Sequence, residues 1–151
     1  MDLYRDRVTA LHKLCTLRLY RALADCGLQV AEPKGSFYVY PSFSPFATQL
    51  KKLGVETSSQ LSRWLIEDCG VATLPGSAFG EGDEASASGG QEGSRLRLRM
   101  ATSFFYYGLE EKYIKGPELL EAASRGEDIE LPLLDEAVVA LQAAVQKLKD
   151  L

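Results

Sequence analysis

Residues 95–103 read Arg-Leu-Arg-Leu-Arg-Met-Ala-Thr-Ser, and this strict alternation constrains the fold more than any other stretch of the chain. In a β-strand successive side chains point to opposite faces. Leu96, Leu98 and Met100 therefore line one face, and Arg95, Arg97 and Arg99 line the other. The apolar face is packing surface for helices. The arginine face needs acids, water or an anionic ligand, because a buried unpaired charge is very costly. Two readings follow: a solvated polar face on a half-buried strand, or a strand that presents an arginine to a carboxylate or phosphate as a planar, bidentate fork.

The remaining pattern supplies the helices. Val8, Leu11, Cys15, Leu19, Ala22, Leu23 and Cys26 recur at spacings of three and four, which predicts a long amphipathic helix over 3–26 with Gly27 as its C′ residue. It begins almost at Met1 without a cap, as if cut from something longer. Gln29 to Glu32 reads as a short extended piece and Pro33-Lys34-Gly35 as a turn. Ser36 to Tyr40 reads as a strand that Pro41 ends, with Phe37 and Val39 on one face and Tyr38 and Tyr40 on the other. Tyrosines on the arginine side can stack on guanidinium groups; ordinary sheet packing is the plainer account. Residues 42–55 are expected to form a loop or short helix. Thr57-Ser58-Ser59-Gln60 fits a capping box, so a helix is expected from Ser58 to Cys69, with Leu61, Leu65 and Cys69 inward and Gly70 closing it. Val71 to Leu74 reads as a short strand and Pro75 to Gly80 as a tight loop.

Residues 81–94 are acidic and rich in glycine and alanine, with no apolar side chain larger than alanine, and are expected to be mobile. Residues 104–116 are aromatic-rich and irregular. Pro117 suits a helix N1 position before a short helix to Ser124, closed by Gly126, and a last helix is expected from Asp135 to Lys149 with Val138, Leu141, Val145 and Leu148 on one face. At 151 residues the chain suits a single domain spanning 1–151. The expected architecture is α/β of the α+β kind: a two-layer sandwich, helices on one face of a small, mostly antiparallel sheet, with the arginines on the open face.

Composition narrows the partners. A net charge of -4 argues against general nucleic-acid or anionic-membrane binding. No apolar run reaches the length of a membrane span, and Asp2, Arg5, Asp6 and Arg7 are too charged for a signal peptide. The expectation is an intracellular, soluble protein. Cys15, Cys26 and Cys69 are odd in number and sit in helical patterns, as buried thiols of a reducing compartment do. A single histidine, His12, leaves no His-rich metal site.

Four pieces, in this order, resemble the C-terminal small domain of class I/II aminotransferases, the fold type I pyridoxal-phosphate enzymes: Gly35-Ser36-Phe37-Tyr38-Val39-Tyr40-Pro41-Ser42-Phe43, Asp68-Cys69-Gly70, residues 71–80, and Leu96-Arg97-Leu98-Arg99-Met100-Ala101-Thr102-Ser103. The resemblance covers about residues 1–103 and the last helix. It implies that Arg97 binds the α-carboxylate of an amino-acid substrate, and that Gly35, Phe37, Tyr38 and Gly76 border the site. Arg95 and Arg99 share the face, so a register two residues away stays open. The implied function is part of a transfer of an amino group between an amino acid and a 2-oxo acid. The implied cofactor is pyridoxal 5'-phosphate, held by a large domain that supplies the cofactor lysine; no lysine here has that context. A homodimer is implied for the full protein, and the chain alone is expected to be inactive. A lyase-type fold type I enzyme would share the clamp. A non-catalytic module binding a partner or small acid through its arginine face is the rival from another class. Residues 104–132 are longer than the family usually has at that point.

Overall fold

The computed structural model describes residues 2–82, 96–105 and 116–151. Helix α1 spans Asp2–Asp25 and buries Leu11, Cys15, Leu19 and Leu23, one per turn. It ends as its sequence dictates. Gly27 adopts φ +94, and the Leu28 and Gly27 amides donate to the Leu23 and Ala24 carbonyls, satisfying groups that the helix end would leave open. Ser44–Phe46 forms a 3₁₀ turn leading into α2, Ala47–Lys52. Helix α3 is Ser58–Cys69. Its capping box is complete: Thr57 Oγ1 accepts from the Gln60 amide, and Gln60 Oε1 accepts from the Thr57 amide at 3.2 Å. Gly70, at φ +70, closes it.

Three short strands follow in space. β1 is Tyr38–Val39, β2 is Leu74–Pro75 and β3 is Leu98–Ala101; the order is β1-β3-β2 and both pairings are antiparallel. β3, the strand expected from the alternating arginines, is the centre of the sheet. The ladder is shorter than expected on both sides. Ser36, at φ +64, takes its residue out of the extended region, so β1 covers two residues and not five. On the other side the Val71 amide is used on the Leu65 carbonyl at the exit of α3, and Ser62 Oγ donates to the Thr73 carbonyl. Pairing therefore starts only at Leu74. Pro75, which has no N–H to give, lies on this edge strand, where a missing donor is tolerated.

Helices α4, Gly116–Arg125, and α5, Pro132–Lys149, complete the structure. α5 begins three residues before the expected Asp135, because Pro132 suits the first turn and Leu134 is fully buried. α1 packs on α4 and α5, α5 on α3, and α3 and α1 on the strands. Leu19, Leu23, Phe43, Leu50, Leu61, Leu65, Leu98, Leu134 and Leu148 form the centre of one core between helices and sheet. Arg18 ties α1 to the connection before α5: its guanidinium donates to Asp128 Oδ1 and to the Ile129 carbonyl, both at 2.9 Å. The structure is thus predominantly helical with a small antiparallel sheet, as the sequence implied.

The three cysteines are free; Cys15 and Cys26 are buried and Cys69 is half-buried. Burial pushes the Cys15 thiol up to about 11, which makes it a poor nucleophile at neutral pH. Among the described residues no helix is long and apolar enough to cross a membrane, and no group of three or more His, Cys, Asp or Glu side chains is placed to hold a metal ion. The expected mobile segment, apart from Glu81 and Gly82, and most of the 104–116 stretch lie outside the described residues.

Candidate functional site

The site grows out of the pleat of β3. Leu96, Leu98 and Met100 are buried against the helices, so Arg97 and Arg99 are left on the open face of the sheet. The register decides their neighbours. Leu74 pairs with Arg99, Tyr38 pairs with Ala101, and Ser42 bridges to Arg97. The Gly76 amide donates to the Arg97 carbonyl at 2.9 Å, which brings the exit of β2 alongside Arg97.

The two described arginines, equivalent in the sequence pattern, have different surroundings. Arg99 is stacked: its guanidinium carbon lies 4.3 Å from the Tyr38 ring centre and 4.1 Å from that of Phe79. A guanidinium this close to two ring faces is held there by cation–π attraction and by packing of its flat surface. Its Nε is buried without a hydrogen-bond partner. Arg97 instead reaches a carboxylate, Nη1 donating to Glu81 Oε1 at 3.2 Å. The Arg97 side chain is 44% exposed and that of Glu81 26%, so solvent partly screens the pair. Arg95 lies outside the described residues.

Glu81 arrives there by a local device. Residues Gly76–Phe79 form a 3₁₀ turn, and Gly80 closes it at φ +87, a left-handed conformation in which a side chain would be strained. The chain then doubles back and the Glu81 amide donates to the Gly76 carbonyl. A Cβ on Gly76 would lie 2.3 Å from Glu81 Oε2, 2.9 Å from Tyr40 Oη and 3.2 Å from the Arg97 carbonyl oxygen. Gly76 is therefore the floor on which a carboxylate, a phenol and the arginine strand meet. The sequence reading put Glu81 at the start of a mobile segment; in the structure it is held, half-buried, by Arg97 and by its own backbone.

Tyr40 completes the cluster. Burial, with its hydrogen-bonding contact and charge interaction with Glu81, pushes its hydroxyl up to about 12, against the opposing pull of Arg97 and Arg99. Glu81 Oε2 has no partner of good hydrogen-bond geometry. The Tyr40–Glu81 approach is thus close enough to act electrostatically but short of a well-aligned bond, and the proximity is what matters. A proton bound more tightly in the folded state stabilises the fold below the ordinary phenol value near 10. That contribution is lost as pH rises from there through about 12. Alkaline titration followed by phenolate absorbance, wild type minus Tyr40→Phe, is expected to show one tyrosine ionising near 12. A difference curve centred at the ordinary value would contradict this placement.

Of the residues expected to border the site, Gly76 and Tyr38 lie beside the arginines. Gly35 and Phe37 do not lie beside Arg97. The Phe37 carbonyl accepts from the Thr102 amide at 2.9 Å, five positions along the strand from Arg97, or roughly 16 Å at about 3.3 Å per residue. Phe37 stacks on Tyr38 and His12, with ring centres 4.4 and 5.4 Å away, and lines a groove with Gly35, Lys13 and Lys34. Glu81, Tyr40 and Phe79 are the members of the cluster that the sequence reading did not single out as site residues. The signal for an acid was present, since an arginine face demands one, but which acid depends on the turn at Gly80.

The class I and II aminotransferase family model matches residues 1–103. An aspartate aminotransferase of Pyrococcus horikoshii is 34% identical over 101 residues, 67% of this chain and 20% of that protein. A probable N-acetyl-LL-diaminopimelate aminotransferase of Bacillus subtilis is 42% identical over 67 residues, 42% of this chain and 15% of that protein. The chain spans about a fifth or less of the curated relatives it matches. In structure it is similar to an aromatic aminotransferase from Pyrococcus horikoshii, with a TM-score of 0.52 and 20% identity, covering 91% of this chain and 25% of that one.

Proposed function

The chain belongs to the class I and II aminotransferase family, and from that premise we propose that it is the small domain of a pyridoxal-phosphate-dependent aminotransferase, in which Arg97 grips the α-carboxylate of the amino-acid substrate. The observation that carries this reading is the state of Arg97. It stands on the open face of the central strand, nearly half exposed, and already holds a carboxylate, while Arg99 is committed to two aromatic rings. A planar fork of donors fixes a planar carboxylate and thereby orients the substrate's Cα–H bond. The neighbouring Tyr40 hydroxyl stays protonated through the physiological range and can donate to the same anion. The names of the relatives differ in substrate side chain, from aspartate to aromatic to acetylated diaminopimelate. What such amino acids share is the α-carboxylate, the group Arg97 suits.

Among the described residues Arg97 suits the substrate's acid group, and no lysine is placed with it. The described lysines are engaged elsewhere: Lys51 pairs with Glu56, Lys52 donates to the Leu151 carbonyl, Lys147 to the Asp68 carbonyl, Lys149 lies near Cys26, and Lys13 and Lys34 line the groove with Phe37. In keeping with the family resemblance, we propose that pyridoxal 5'-phosphate is held mainly by a large domain outside residues 1–151. Leu74, Phe79 and Phe104, exposed by 46%, 44% and 75%, give the open face apolar surface to set against it. Adding pyridoxal 5'-phosphate to the pure chain and reducing with borohydride is expected to label no lysine stoichiometrically. One fully labelled lysine would show that this chain holds the cofactor itself and would overturn the division of labour.

A further inference from the structure

We propose that Glu81 is a built-in competitor for the substrate carboxylate: its side chain occupies the acid seat formed by Arg97, Tyr40 and Gly76, and an incoming acid must displace it. The proposal rests on the reading of Arg97 as a carboxylate clamp and deepens it. The geometry is that of an occupied but poorly satisfied seat. Glu81 offers one oxygen to one Arg97 nitrogen at 3.2 Å, whereas a guanidinium has donors for two parallel bonds to a carboxylate. Its second oxygen is buried without a well-formed hydrogen bond, between the Tyr40 hydroxyl and the space above Gly76. A free carboxylate can approach the fork with both oxygens, whereas Glu81, its backbone tied to Gly76 at the turn, offers one. The incumbent is therefore held weakly, as half-exposed ion pairs are, and can leave. While it stays, a charged arginine on an open face is kept neutralised. When it leaves, the site gains a positive fork aimed at an acid.

The test needs no cofactor. The isotope-labelled 151-residue chain is titrated with propionate, and the Arg97 side-chain N–H resonance is followed by NMR, with propionamide as the uncharged control. Glu81→Gln is expected to tighten propionate binding about 1.5- to fivefold, the range that a weak competing ion pair implies. Glu136→Gln removes the same charge from the groove that Arg99 and Phe104 line, and is expected to leave affinity unchanged. Arg97→Lys, followed through the Glu81 backbone amide beside the seat, is expected to lose the propionate response that the same amide shows in the wild type. If Glu81→Gln and wild type bind propionate at Arg97 equally, the competitor role is wrong and the clamp stands. Equal gains from Glu81→Gln and Glu136→Gln would reduce the effect to general charge and overturn the proposal. If no variant shows a propionate-dependent shift at Arg97, the clamp reading fails and the competitor role falls with it.

Discussion

Replacing Leu98 with alanine is expected to lower the unfolding free energy by about 2–5 kcal/mol, the range for deleting a fully buried aliphatic side chain that leaves a cavity. Leu98 is 0% exposed, sits in the central strand, and is bound on both sides: its amide donates to the Pro41 carbonyl and it pairs with Pro75. There is no edge here to relax, so little of the cavity should collapse. The consequence reaches the site. Leu98 lies between Arg97 and Arg99, and its burial is what points both arginines outward; a slip of one residue would exchange the faces. Urea unfolding should show a lower midpoint with an unchanged slope. A loss below about 1 kcal/mol would mean that the neighbouring side chains repack easily and that the face of β3 is not pinned as described.

The parts of the fold legible in the sequence are those fixed by local rules. The capping box at Thr57 and the left-handed glycine at Gly70 bound α3 at the expected residues, and the alternation of residues 96–101 put the right side chains on each face of β3. Strand ends were less legible. Val71 to Thr73 have a strand's composition, but their backbone groups are taken by Leu65 and Ser62, which is a tertiary fact. In the site, the arginine face and the tyrosine face were legible as period-two patterns, but the stacking of Tyr38 on Arg99, where ordinary sheet packing was the plainer expectation, comes from the β1–β3 register. The distinction between Arg97 and Arg99 was not. It depends on Phe79 and Glu81 being returned over the sheet by the turn at Gly80, and nothing in the composition of residues 81–94 marks Glu81 as a partner of Arg97.

The central claim is that Arg97, and no other arginine of its face, binds the substrate carboxylate. Arg97→Lys keeps the charge and loses the planar fork. In the larger aminotransferase proposed above to hold this chain as its small domain, transition-state binding of an amino acid is expected to fall by about 1.5–3 kcal/mol, the worth of a charged hydrogen bond; that is roughly 10- to 150-fold in kcat/KM. Arg99→Lys is expected to cost much less, because Arg99 is turned onto Tyr38 and Phe79; Arg95→Lys is likewise expected to cost little. The deciding measurement is kcat/KM for the three single variants with an amino acid and with the matching amine that lacks the carboxylate. The account predicts that Arg97→Lys alone shows a large loss confined to the amino acid. An equal loss on both substrates, or a larger carboxylate-dependent loss at Arg95 or Arg99, would contradict it.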